Sequence, residues 1–259
     1  RCLTRGQIVI LIFVNSAAVS ANGAWTSPLG WTLSGGYLYE EETPVISVGE
    51  TSVITVPGGA SYLSAASSRL HLKARQEALI VSLGLPRSEY LGWSFQAGSV
   101  SYQVSIPSGN TSNQLSRSQG AFVGVGLDID VVRRTMVTPR VNARLSWRWA
   151  QTHPDRIYFG RENRWETVED LWQTTRTALG VMVEPSWKNG AIVPNAGFEM
   201  FHKIAALKDG RSGEVFSGRQ NGYRIFGGVE WRFSNREAAV AQVSLGDETG
   251  YRITLEQRF

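Results

Sequence analysis

The sequence has a single cysteine, Cys2, and three histidines, His71, His153 and His202, in 259 residues. One thiol excludes a disulfide framework, and three scattered histidines without cysteine partners leave no spacing suited to a transition metal. No metal ligand and no cofactor is therefore assigned. Long apolar runs are missing as well. The run "IVILIFV" at 8–14 is far shorter than the roughly 20 residues a helix needs to span a bilayer. Later stretches such as "EALIVSLGLP" and "REAAVAQVSLG" are broken by Ser, Gly or charge, so helical spanning is excluded. Charge of one sign is also scarce, with 26 Lys and Arg against 22 Asp and Glu.

The first residues combine positive charge ("RCLTRGQ"), the short apolar run and small residues ("NSAAVSANGA"). This three-part pattern predicts a secretory signal peptide over 1–21, with cleavage after Ala21, and a single domain over 22–259. Leaving out Arg1 and Arg5 lowers the basic count from 26 to 24 against 22 acids, a net charge of +2. That value gives no argument for a nucleic-acid partner. Cys2 leaves with the leader, and an exported chain without disulfides needs either a sizeable core or a membrane around it.

Strict alternation is what the sequence has in quantity. In "RVNARLSWRWA", Arg140, Asn142, Arg144, Ser146 and Arg148 alternate with Val141, Ala143, Leu145, Trp147 and Trp149. Period two over this length is a strand with one apolar and one polar face. "AFVGVGLDIDV" sets Val123, Val125, Leu127, Ile129 and Val131 against Gly124, Gly126, Asp128 and Asp130. "NGYRIFGGVEWRF" and "YRITLEQRF" repeat the design, and "SRLHLKAR" sets Leu70, Leu72 and Ala74 against Arg69, His71, Lys73 and Arg75. A soluble sandwich alternates too, but the aromatics Trp147, Trp149, Tyr223, Trp231, Phe233, Tyr251 and Phe259 fall near strand ends on the apolar face. Aromatic girdles at the two interfaces of a membrane barrel occupy those positions.

Eleven strands can be read directly, and the links between them run short and long in turn. Short periplasmic turns and long extracellular loops produce this pattern, and single-chain barrels have an even strand number. "TSVITVP" at 51–57 supplies a twelfth strand. The expected fold is all-β, a closed antiparallel transmembrane barrel of about twelve strands, with ten as the alternative.

Phe259, Leu255, Ile253 and Tyr251 at the end of the chain resemble the last strand of bacterial outer-membrane β-barrel proteins, with Gln257 departing from the pattern. The resemblance implies insertion by the barrel-assembly machinery through that strand, contact with outer-membrane lipid and lipopolysaccharide, and a bacterial outer-membrane location. In style the chain is similar to small arginine-lined porins.

With the apolar face toward lipid, the polar face lines the lumen. The pore-lining candidates are Arg69, Lys73, Asp128, Asp130, Arg140, Arg144, Arg148, Arg176, Arg224, Glu230, Arg232, Arg252 and Arg258, accompanied by Arg75, Glu184 and Glu256. Arginine keeps its charge and grips carboxylate or phosphate at two points, and rings of it favour anions through a pore. The expectation is passage of small anionic solutes. The alternative is a closed barrel whose lumen charges pair with one another, serving a structural, anchoring or partner-binding role. No residue is assigned a catalytic role: none of the three histidines has a serine in a lipase- or deacylase-like pattern, and the acids around "HPD" at 153–155 make only a thin protease-like grouping.

Overall fold

The computed structural model describes residues 30–55, 61–85, 90–108, 111–132, 138–185, 191–210, 213–234 and 236–259, with backbone alone over 45–55, 61–71, 107–108 and 111. The expected signal peptide lies outside the described residues. In chain order the strands are β1 (Thr32–Glu42), β2 (Val45–Thr55), β3 (Ser61–His71), β4 (Lys73–Gly84), β5 (Leu91–Ser108), β6 (Thr111–Leu115), β7 (Ser118–Val132) and β8 (Arg140–Thr152). They continue as β9 (Arg156–Phe159), β10 (Arg164–Thr167), β11 (Leu171–Glu184), β12 (Ile192–Lys208), β13 (Val215–Arg232), β14 (Glu237–Gly246) and β15 (Glu248–Arg258).

Ten of these close on themselves. Antiparallel pairing runs β1, β4, β5, β7, β8, β11, β12, β13, β14, β15 and back to β1, so the wall has no free edge. Closure matters in lipid, where an unpaired backbone group costs several kcal/mol. The expectation of twelve strands is corrected to ten. Residues 51–55 belong to β2, which pairs along its length with β3 as a hairpin and pairs with the wall strand β13 only at Ser47–Ser217. β4 runs unbroken through the polar "KARQE" at its start.

The two ends of the barrel differ. Strand ends carrying Gly84, Val132, Glu184, Arg232 and Arg258 share the end at which the Phe259 N–H donates to the Trp31 carbonyl at 2.8 Å. Links there are short. At the opposite end stand the β2–β3 hairpin, β6, and the β9–β10 hairpin. The exception is the β14–β15 link, where Gly246 takes φ 141° and a Cβ would stand 2.5 Å from the Tyr223 carbonyl. Asp247 completes that turn, accepting from the Tyr223 N–H at 2.9 Å and donating its own N–H to the Tyr223 carbonyl at 3.0 Å. By the usual arrangement of such barrels, the short links face the periplasm and the long ones the exterior.

Alternate residues of the wall point out and stay exposed although they are large and apolar: Phe95, Val123, Leu145, Leu179, Phe198, Ile225, Val243 and Ile253. They come from eight neighbouring strands and form one continuous belt. Soluble proteins do not expose an apolar band of that extent, whereas a spanning barrel requires one. The chain is an outer-membrane β-barrel.

Candidate functional site

The lumen is built in three parts. Toward the exterior it is filled by an apolar cluster in which Leu72, Val100, Tyr102, Leu115, Phe122 and Trp172 are all buried, with Ile157 and Phe216 packed on from outside. Ten strands enclose more space than eight, whose side chains just fill the interior, so large residues are needed to close it. Leu115 and Ile157 belong to the loop strands β6 and β9, so the loops themselves complete the cap. Ser116 ties them together: its hydroxyl donates to Asp155 Oδ1 at 2.7 Å and accepts from the Asp155 and Arg156 N–H groups at 3.3 Å. That hydroxyl holds the Asp155 carboxyl below the usual carboxylate range.

Beneath and beside the cap lies a buried ion network. Arg224 bonds Glu40 at 2.7 Å and Glu199 at 2.9 Å, and Arg176 bonds Glu248 at 2.9 Å and also Glu199. Lys203 meets Glu42 and stands 3.5 Å from Glu248, while Arg148 stands 3.6 Å from Glu40. The Arg176 guanidinium also lies over the Phe201 ring, 4.6 Å from its centroid. Four cations thus face four carboxylates, which is the condition for keeping charge inside a protein. Tyr102 joins the network to the cap, its hydroxyl bonding Gln76 at 2.7 Å and Thr174 at 2.9 Å.

The third part is a vestibule of about 680 Å³ that reaches the inner rim. Its ceiling includes Glu40, Arg148, Glu199 and Arg224, and its walls carry Ser34, Ser82, Ser94, Ser146, Gln96 and Gln242. Pairs again dominate. Arg140 bonds Asp130 at 2.7 Å and Glu184 at 3.3 Å, and Arg144 bonds Asp128 at 2.7 Å. Arg232 and Arg258 share Glu230 at 2.7 and 3.1 Å, with Glu256 at 3.8 Å from Arg258.

Asp128, Asp130, Arg140, Arg144, Arg148, Arg176, Arg224, Glu230, Arg232, Arg252 and Arg258 all face the lumen, as their alternation implies. The placement of Lys73 and Arg75 is corrected, and that of Arg69 lies outside the described side chains. Lys73 and Arg75 point outward, because β4 turns Ala74, Gln76, Ala78, Ile80 and Ser82 inward; Arg75 bonds Glu41 on the outer surface at 2.8 Å. Arg69 belongs to β3, outside the wall, and its side chain lies outside the described residues. The aromatics Trp147, Trp149, Tyr223, Trp231, Phe233, Tyr251 and Phe259 lie on outward positions or at the inner rim, with Trp231 and Phe233 4.9 Å apart and Tyr251 stacked on Tyr39 at 5.3 Å.

Sequence reasoning missed Glu40, Glu42, Glu199, Lys203 and Glu248. With them, nine lumen cations meet nine carboxylates among the described residues, so the lumen is balanced and not positive. The described histidines serve amides: His153 Nε2 is 3.0 Å from Gln151 and His202 Nδ1 is 2.7 Å from Asn221. Among the described residues no three His, Cys, Asp or Glu side chains converge as metal ligands would.

No protein-family model and no curated protein matches the sequence. Solved structures do resemble the fold. The outer-membrane protease OmpT of Escherichia coli superposes with a TM-score of 0.50 at 7% identity, over 92% of this chain and 99% of that one. The translocator domain of the autotransporter NalP from Neisseria meningitidis gives 0.46 at 11% identity, covering 98% of both chains. The outer-membrane protein OprG from Pseudomonas aeruginosa gives 0.42 at 11% identity, over 89% and 95%. At these identities the likeness is one of fold, and the structures this chain is similar to are bacterial outer-membrane barrels.

Proposed function

We propose that this protein is a closed outer-membrane barrel with a structural, anchoring or partner-binding role, presenting a sealed outer face and a polar vestibule to the periplasm. The observation that carries the reading is the filled outer half of the lumen: Trp172, Leu72, Leu115, Phe122 and Tyr102 are each no more than 2% exposed, directly above a charge-balanced ion network. A continuous water path would have to displace both. Outer-membrane lipid and lipopolysaccharide are the surroundings of the belt and loops, and the last strand, followed directly by Phe259, is the segment that barrel-assembly machinery would read. No chemical step is assigned.

Passage of small anions is the second reading, favoured by the seven arginines that border the vestibule. It requires the cap to move. Conductance of the purified protein in a planar bilayer separates the two. A closed barrel inserts without a stable open level, whereas steady current preferring anions replaces the proposal with anion passage.

A further inference from the structure

Among the lumen guanidiniums, Arg252 stands apart. Among the described residues every other lumen arginine has a carboxylate within 4 Å, but Arg252 on β15 makes a single hydrogen bond, from Nε to Thr254 Oγ1 at 3.0 Å. It shares the head of the vestibule with Arg144 and Arg148, whose positive charges bear on it. Those two are also incompletely used. Arg144 spends only Nε on Asp128, and Arg148, at 3.6 Å from Glu40, leaves Nε and Nη1 buried without a hydrogen-bond partner.

Three guanidiniums with unspent donors border one cavity, and the two unpartnered donors of Arg148 are buried, so an anion there would relieve them. A buried donor left unmade carries its full desolvation penalty, the more so when charged. Nearby hydroxyls could add neutral donors: Ser146 sits between Arg144 and Arg148 on β8, and the Ser94 hydroxyl occupies the space that Gly126 leaves by lacking a Cβ, which would stand 2.5 Å from it. Forked guanidinium donors match the two oxygens of a carboxylate or phosphate.

We infer that Arg144, Arg148 and Arg252 form a binding site for a small oxyanion, a phosphate or carboxylate group, entering the vestibule from the periplasmic side. The site holds whether or not the barrel conducts, because the vestibule reaches the inner rim independently of the cap. A conducting barrel would overturn the closed reading and leave the site standing.

Isothermal titration of the full folded protein in detergent at low ionic strength tests it, with inorganic phosphate in one arm and succinate in the other. At least one should bind saturably, and the arm that binds identifies which chemistry is held. Arg252→Gln should weaken that binding tenfold or more, with heat-modifiable gel migration confirming a folded barrel. Should that variant fail to fold, Ser146→Leu, which fills the space beside the arginines, should weaken it to a similar degree. Absence of saturable binding in both arms, or unchanged binding in a folded variant, overturns the inference.

Discussion

Arg224 and Arg232 lie eight residues apart on β13, both face the lumen, and both bond a glutamate at 2.7 Å. Their surroundings differ. Arg224 is 11% exposed, and its partner Glu40 is 2% exposed under the apolar cap; Arg232 is 30% exposed at the rim, and its partner Glu230 is 12% exposed. Taking charges out of water carries a penalty of several kcal/mol per ion, met only by close and complete pairing. The rim pair forgoes little hydration and gains little in return. One strand therefore carries two kinds of ion pair: a deep one that the fold cannot lose, and a rim one whose value lies in setting the charge that a visitor meets.

The sharpest way to break this comparison is Glu248→Gln. Glu248 is 1% exposed and faces Arg176 at 2.9 Å, Lys203 at 3.5 Å and Arg224 at 3.7 Å. Removing its charge leaves buried cations in excess, and the expected cost is about 3–5 kcal/mol, read as a lowered urea midpoint for the barrel folded in vesicles. Arg232→Ala at the rim should cost less than about 1 kcal/mol by the same measurement. Equal losses in the two variants would remove the distinction between ceiling and rim.

The smallest effect concerns the clasp that closes the cap. Because the Asp155 carboxyl titrates below its usual range when bonded to Ser116, its contribution is present above the unfolded value, about 3.9, and is lost as the pH falls through the lower folded value. Resistance of the β9–β10 loop to proteolysis should therefore hold down to about pH 4 and decline only in stronger acid. A loop that opens between pH 7 and 5 would show that another group secures it.

The same division between outer and inner lumen explains what the sequence revealed. On β7, β8, β13 and β15 the lumen side is marked by Gly, Asp, Glu and Arg and the lipid side by Val, Leu, Ile and aromatics, so alternation alone assigns the faces. On β4 the rule inverts, because the strand begins beside the cap, where the interior is apolar. Leu72 and Ala74 face in, and Lys73 and Arg75 face out into the polar surface above the belt. Hydrophobicity marks the lipid side only where the lumen is polar.

The missed acids have a related cause. Glu40 and Glu42 belong to the run "EEE", which reads as a solvated strand end, and Glu248 lies in "DETG", which reads as a turn. Both segments sit at the outer margin of the wall, yet the loops and the longer β12 and β13 close over them. Burial of a strand end by distant loops leaves no trace in local periodicity. The strand excess arose in the same place, where β2 and β3 carry strand-like sequences without joining the wall.

The central claim is that cap and network close the lumen, and single insertions in a planar bilayer test it most directly. The account predicts inserted barrels with no steady open level at moderate voltage, in symmetrical chloride and with phosphate added. A stable, anion-preferring current through the unmodified protein would contradict it.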